Sequence, residues 1–314
     1  MTDATHMPVM VRETVEALAV KPGGRYLDGT VGAGGHAEAI MDAARPGGTL
    51  LGIDRDAEAL GLARDRLVRF GDDVRLVQGD YAEMEQICRE EGFAPVHGVV
   101  LDLGISSMQL DRAARGFSFS KEGPLDMRFN QEQEVTAADI VNGYAEEELA
   151  NLLWRYGEEP RSRPIARRIV RRRPLSTTVE LAKVVEEAVG GRARRQTTHP
   201  ATRTFMALRI AVNQELLRLE TALPQAYGLL GDLGRLVVLS YQSLEDRVVK
   251  RFVQRESSDC ICPPRQPVCT CGHRAGLRKI GRGAIRPSEE EVKANPRSRS
   301  ARLRAAERLP PVAA

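Results

Sequence analysis

The chain has little of what membrane and secreted proteins are built from. No run approaches the ~18 consecutive apolar residues of a membrane-spanning helix. Met1-Thr-Asp-Ala-Thr-His6 offers neither the basic start nor the apolar stretch of a secretory signal. Cysteine is sparse: there are five in 314 residues, four of them crowded near the C-terminus, which argues against a disulfide framework. Internal repeats are absent. These absences predict a cytoplasmic protein with no membrane partner. Hydrophobic and charged contents of 42% and 28% suit an ordinary globular chain, and the length predicts about two domains.

The small net charge of +3 hides an asymmetry. Residues 1–154 hold 14 basic and 27 acidic residues, whereas residues 155–209 hold 14 and 5. Residues 210–254 balance at 5 and 5, and residues 255–314 hold 13 and 6. An acidic half joined to basic segments fits a polyanionic substrate that touches only part of the molecule. A solvated arginine-rich helix would give the same counts.

Apolar runs alternate between strand and helix patterns over the first hundred residues. Strands are predicted at Arg25–Asp28, Thr49–Asp54, Val74–Gly79 and Gly98–Leu103, and helices at Gly35–Ala44, Ala57–Phe70 and Ala82–Glu91. An earlier helix has Val11, Val15, Leu18 and Ala19 on one face. That order predicts a parallel α/β sheet with a ligand crevice at the strand carboxyl ends. From about Leu110 to Pro200 the alternation stops and helices take over, with Ala145–Trp154, Pro164–Arg171 and Thr178–Val189 the clearest. The expected organisation is a core in two parts, 1–109 and 201–314, around a helical insertion at 110–200. In the second part Ala201–Leu223 reads as one long helix and Arg235–Ser240 as a fifth strand. Ser243 and Asp246 read as the N-cap and N3 of a following helix, and Gly276–Leu309 as a terminal hairpin.

The stretch Asp28-Gly-Thr-Val-Gly-Ala-Gly-Gly-His36 lies between the first strand and its helix. Glycines there let backbone N–H groups approach a ligand that a Cβ would hold off. Gly32, Gly34 and Ala37 satisfy the loose dinucleotide spacing, which many plain turns share. Asp54 closes the second strand twenty residues after Gly34, where an acid accepts hydrogen bonds from ribose hydroxyls. Asp80-Tyr81 and Asp102 fall at the same predicted edge. Two cofactors fit this pattern, a nicotinamide dinucleotide and S-adenosylmethionine. Asp28 beside the turn would repel a pyrophosphate and attract an ammonium or sulfonium, which tilts the balance without closing it.

Longer motifs are more specific. Asp102-Leu-Gly-Ile-Ser-Ser-Met-Gln-Leu-Asp111, Arg115-Gly-Phe-Ser-Phe119 and Pro124-Leu-Asp-Met-Arg128 resemble the RsmH/MraW family. So do His6-Met-Pro-Val, the glycine stretch itself, Gly52-Ile-Asp-Arg-Asp56, Tyr156-Gly-Glu-Glu and His199-Pro-Ala-Thr-Arg-Thr-Phe205. Ser243-Leu-Glu-Asp-Arg247 and Asn295-Pro-Arg-Ser-Arg-Ser-Ala-Arg-Leu-Arg304 extend the likeness nearly end to end. Members of that family are bacterial methyltransferases acting on N4 of a cytidine in the decoding region of 16S rRNA. The resemblance implies a class I, Rossmann-like methyltransferase sheet of seven strands with a reversed last strand, carrying an inserted helical domain that recognises RNA. It implies S-adenosyl-L-methionine as cofactor, with contacts from Gly34, Gly35, His36, Asp54, Tyr81, Asp102 and Gln109. The expected partner is 16S rRNA or the small ribosomal subunit, with a homodimer left open. The chain departs from the family where Tyr241-Gln242 replaces Phe-His, Met108 a common Pro and Met206 a common Gln.

Methyl transfer to an exocyclic amine needs alignment and a hydrogen-bond acceptor for the charge that develops on nitrogen. Asp102 at the end of the fourth strand is the expected catalytic residue, with Ser106 and Ser107 nearby; a turn-capping aspartate is the simpler alternative. A target cytidine must be unstacked, and Phe117, Phe119, Trp154 and Tyr241 are candidate platforms. Arg115 and Arg128 are candidate phosphate contacts, and Arg161, Arg163, Arg167, Arg168 and Arg171–Arg173 a backbone-binding stripe. His36 reads as a cofactor or helix-start contact, His199 as a helix start or a substrate contact, and His97 and His273 as structural or solvated. Cys88 reads as a buried thiol. Cys260-Ile-Cys262 and Cys269-Thr-Cys271 could bind zinc, but C-x-C departs from the usual C-x2-C, so no metal ligand is assigned.

Three functions remain on this reading. They are an S-adenosylmethionine-dependent rRNA methyltransferase, a dinucleotide-dependent oxidoreductase for which no hydride-transfer residue is found, and an RNA-binding assembly protein with a vestigial cofactor fold.

Overall fold

The computed structural model describes residues 8–190 and 199–311. Motif residue His6 and the arginines at 192, 194 and 195 lie outside them. The chain divides into two compact units, Met1–Gly104 with Leu216–Ala314, and Ile105–Glu215.

The first unit is built on seven strands: β1 (Arg25–Asp28), β2 (Thr49–Asp54), β3 (Val74–Gln78), β4 (Val96–Asp102), β5 (Leu230–Ser240), β6 (Leu277–Ile285) and β7 (Arg302–Arg308). They lie in the order β3-β2-β1-β4-β5-β7-β6. The first five are parallel, and β7 runs antiparallel to both β5 and β6. Parallel strands are covered on both faces, so their sequences read as unbroken apolar runs, and Leu27, Leu51, Ile53, Val99 and Leu101 are fully buried. Successive residues serve opposite faces. Leu27, Leu51, Ile53, Val99 and Val238 meet α4 (Met84–Glu90), α11 (Glu215–Leu229) and α12 (Ser243–Glu256). Tyr26, Leu50, Val100, Val237 and Leu239 meet α1 (Val11–Leu18), α2 (Gly35–Ala43) and α3 (Ala57–Leu67). The expected terminal hairpin is present as β6 and β7. Glu307 on β7 pairs with Arg235 on β5 and Arg278 on β6, tying three strands across the sheet.

In α1 the buried residues are Thr14, Ala17 and Leu18, while Ala19 forms a left-handed, exposed C-cap. The expected apolar stripe is therefore rotated. Before α12 the N-cap is Gln242, one residue earlier than Ser243. Glu245 sits at N3 and accepts the amides of Tyr241 (3.0 Å) and Gln242 (3.2 Å). Asp246 turns away to hold Arg302 at 2.9 Å and Arg304 at 2.7 Å, which gives the two motif arginines of β7 a structural task.

The second unit holds α5 (Ser107–Asp111), α6 (Ala137–Gly143), α7 (Glu146–Gly157), α8 (Ser162–Arg172), α9 (Thr178–Val189) and α10 (Thr202–Asn213) around its own apolar cluster. Its limits, 105 and 215, stand beside the 110 and 200 read from the sequence. Ala201, Phe205, Leu208 and Val212 of the α10 segment belong to this cluster. The single helix expected over Ala201–Leu223 breaks at Gln214, a left-handed residue with φ 52°. The break lets Asn213 turn inward. Its Nδ2 donates to the Met127 carbonyl (2.7 Å), and its Oδ1 accepts the Phe129 amide (2.8 Å). The buried Arg209–Glu215 pair, bidentate at 2.8 and 2.9 Å, spans the same break. Back in the first unit, a short helix, α13 (Glu289–Ala294), precedes β7.

Candidate active site at the carboxyl edge of the sheet

With β1 flanked by β2 and β4, the chain leaves β1 in one direction and returns on its other side. The crevice at that switch point is where such sheets bind ligands. The turn after β1 is fixed from three directions. The Gly29 amide donates to Val100 O (3.0 Å), the Val31 amide to Ile53 O (3.0 Å), and the Gly34 amide to Val31 O (2.8 Å). Glycine eases the turn at three points: a Cβ on Gly29 would lie 2.5 Å from Leu101 Cδ2, and Gly32 and Gly34, the latter the N-cap of α2, have φ of 52° and 82°.

Four acidic residues end the strands or the turns after them. Asp28 is 1% exposed. Its Oδ1 accepts the Thr30 amide (3.1 Å), while its Oδ2 is buried with no hydrogen-bond partner. Burial pushes its carboxyl up to about 7, opposed by His36 and the Thr30 amide and reinforced by Asp102 and Asp54. Asp54 accepts the Gly32 amide through Oδ2 (2.8 Å) and the Asp56 amide through Oδ1 (2.9 Å), and burial raises it to about 6. Asp80 caps the turn holding Tyr81, accepting the Ala82 amide at 2.9 Å, and pairs with Arg55 and Arg218. Tyr81 packs against the sheet next to Gly29.

Asp102 is the junction. Its amide donates to Thr30 Oγ1 (2.6 Å), Oδ1 accepts the Tyr241 hydroxyl (2.9 Å), and Oδ2 lies 3.6 Å from His36 Nδ1. His36 Nε2 faces the Val9 carbonyl at 2.8 Å. A carbonyl only accepts, so Nε2 carries a proton and Nδ1 is turned to Asp102. Burial and the Asp102 carboxylate raise the Tyr241 phenol, which therefore stays a donor. Thr30 and Tyr241 are the residues of this edge that the sequence reading did not assign to it. Thr30 stood inside the glycine motif. Tyr241 stood as a departure from the family pattern and as a candidate stacking platform, and its hydroxyl instead donates to Asp102.

In the second unit, Gln109 accepts the Ser106 amide through Oε1 (3.1 Å) and donates its own amide to Ser106 Oγ (3.2 Å), a local turn. The two arginines expected on phosphate are engaged inward. Arg115 is buried and donates to the carbonyls of Arg128 (3.1 Å) and Phe129 (2.9 Å). Arg128 forms a bidentate pair with Asp126 at 3.0 and 2.7 Å. Of the expected platforms, Phe117 is buried and stacked on Phe129. Phe119 stacks on His199 at 4.4 Å, and Trp154 is 61% exposed. His199 Nδ1 accepts the Ala201 amide (3.2 Å) ahead of α10, and its Nε2 meets Glu186 at 2.7 Å. These contacts fit the helix-start reading.

Helix α8 buries Ser162, Ile165, Ala166 and Ile169, one face at helical spacing, and turns its arginines the other way. Arg168 and Arg172 share Glu187 (2.6 and 2.9 Å), and Arg167 meets Glu146 at 3.4 Å. Arg161 donates to the Val189 carbonyl, and Arg173 to those of Val141 and Tyr144. Among the described residues no ion pair holds the exposed Arg163 or Arg171. His97 accepts the Arg25 amide, His273 contacts the Arg255 carbonyl, and Cys88 is buried, its thiol pushed up to about 12.

The strand order, the reversed β7 and the acid-lined crevice define a class I methyltransferase fold. Over residues 3–309 the chain matches the MraW methylase family, and it belongs to that family. It is similar to the ribosomal RNA small subunit methyltransferase H of Dehalococcoides mccartyi, 58% identical over 98% of this chain and 88% of that protein. A protein of the same name from Thermomicrobium roseum is 50% identical over 97% of this chain and 94% of its own length. The relative from Heliobacterium mobile is 49% identical over 97% and 99%. No described helix is long and apolar enough to cross a membrane.

Proposed function

We propose that this protein is an S-adenosyl-L-methionine-dependent methyltransferase of small-subunit (16S) ribosomal RNA, and that its target is the exocyclic N4 of a cytidine in the decoding region. The observation that carries the cofactor reading is Asp28 Oδ2, a buried carboxylate oxygen without a partner at the glycine turn. A buried unpaired charge is costly, and a cationic ligand offsets that cost where a pyrophosphate would increase it. S-Adenosylmethionine supplies a methyl group on a sulfonium, whose departure leaves a neutral thioether.

Gly34, Gly35 and His36 bring the start of α2 to the cofactor. Asp54 accepts from ribose hydroxyls, and Tyr81 gives the adenine a ring face. Gln109 is assigned by family resemblance alone. Asp102 is the catalytic residue. The N4 lone pair is delocalised into the cytosine ring, so nitrogen becomes a nucleophile only as positive charge develops on it. An acceptor fixed by Tyr241 and the β4 backbone stabilises that charge without reorganising. The proton then leaves the amine toward this carboxylate or water.

The Ile105–Glu215 unit carries the RNA contacts, through the outward arginines of α8 and the exposed Trp154. Replacing Arg163, Arg167 and Arg171 together by alanine is expected to weaken RNA binding about 10-fold or more and to reduce the salt slope by roughly 2–3. Filter binding at several salt concentrations measures both; an unchanged slope would leave these arginines as solvated surface.

The function itself is tested by incubating the protein with methyl-labelled S-adenosylmethionine and small subunits lacking the modification. The RNA is then digested to nucleosides. Label in N4-methylcytidine is expected. Label in another nucleoside would keep the cofactor and remove the target, and tight cofactor binding without transfer would remove the enzyme.

A further inference from the structure

Between α12 and β6 the chain runs from Ser257 to Gly276 without helix or strand. Its ends are drawn together by the Gly276 amide on Glu256 O (2.9 Å) and the Ala275 amide on Asp259 Oδ1 (3.2 Å). A closed loop of this length normally packs on its own side chains. This one cannot. Its larger apolar side chains, Ile261 and Val268, are 41% and 70% exposed. A segment with no core needs a cross-link of another kind.

The four cysteines of the loop converge. All four Sγ atoms lie within 4.8 Å of one another. The separations are 4.0 Å for Cys262–Cys269, 3.6 Å for Cys269–Cys271 and 3.9 Å for Cys271–Cys260. A disulfide would bring two sulfurs to about 2.0 Å, and none is present. Four thiolates bound at about 2.3 Å to one tetrahedral ion stand about 3.8 Å apart, close to these three separations. An iron–sulfur cluster places several atoms between its thiolates and would spread them wider. The amides of Ile261 and Cys262 donate to Cys271 Sγ and Cys260 Sγ, both at 3.4 Å, which favours the charged form of a sulfur ligand.

We propose that Cys260, Cys262, Cys269 and Cys271 form a mononuclear tetrathiolate zinc site that holds the 257–276 loop between α12 and β6. With four protein ligands it leaves no open position, so its role is structural. The unusual C-x-C spacing is no obstacle, because the two pairs close on each other across the loop.

The full-length protein, purified under reductant, is expected to carry one zinc per chain that survives dialysis. X-ray absorption should give four sulfur neighbours at about 2.3 Å. In a C260S/C271S double variant zinc content should fall about tenfold or more, with the circular dichroism of the sheet retained. Wild-type protein exchanged into cobalt should show the visible absorption of a tetrahedral thiolate site, so the test does not depend on the variant folding. Stripping the metal should open the loop to protease. Reduced protein that neither contains zinc nor takes it up, cysteines recovered as disulfides, or iron in place of zinc would each overturn the proposal.

Discussion

Replacing Asp102 by alanine is expected to lower kcat/KM for methyl transfer by roughly 10²–10³-fold, the range seen when one preorganised polar group is removed from a developing charge. The fold should survive. Asp102 is held by its backbone, through its amide on Thr30 Oγ1 and the neighbouring Leu103 amide on Leu239 O, and both bonds remain in the variant. What is lost is the carboxylate that accepts Tyr241 and faces His36. Tyr241→Phe, which keeps the carboxylate and removes one neutral donor, is expected to cost about 1 kcal/mol, or near fivefold. The pair therefore separates two roles, acceptor and positioner. Single-turnover transfer rates and calorimetric cofactor affinities measure them. Were Asp102→Ala to keep both, the residue would be a turn-capping aspartate and the acceptor would have to be sought elsewhere.

How much of this was legible beforehand depends on the distance over which each feature is decided. The parallel half of the sheet was legible because each buried strand announces itself: Leu50-Leu-Gly-Ile needs no partner to read as a strand. The acids at the strand ends were legible for the same local reason, since the order of elements alone puts them on one edge. The Tyr241–Asp102 bond was not, because 139 residues separate its partners and nothing local marks them. The break at Gln214 escaped because 201–223 has uninterrupted helical spacing. Its cause is Asn213 reaching Met127 and Phe129, more than eighty residues earlier. Arg115 and Arg128 show the opposite failure. Arginine reads as surface by composition, yet here the guanidinium groups satisfy part-buried carbonyls and a carboxylate, which only the folded loop supplies. The four thiols stood in plain view, but their convergence is a matter of loop closure.

Asp28 should make the ligand-free protein lose stability as pH rises, contrary to the usual carboxylate. Its folded pKa is about 7 against an ordinary value of 3.8, so between those limits the folded state binds more protons than the unfolded one. Stability is then greatest near the lower limit and falls as pH rises, levelling above about 7. The full shift corresponds to about 4 kcal/mol, with Asp54, raised to about 6, acting in the same direction. An asparagine side chain in the same place cannot ionise. The Asp28→Asn variant should therefore match wild type near pH 4 and exceed it by roughly 2–4 kcal/mol at pH 8, as read from denaturant midpoints. The same substitution should weaken S-adenosylmethionine binding about 10- to 100-fold and remove the rise in affinity expected of wild type as Asp28 ionises near pH 7, because the ammonium group needs the charged carboxylate. A gain in stability coupled to a loss of affinity is the mark of a charge kept buried for its ligand. If the variant were destabilised at pH 8 with its affinity intact, Asp28 would be a structural residue, and the unpartnered oxygen would have no bearing on the cofactor.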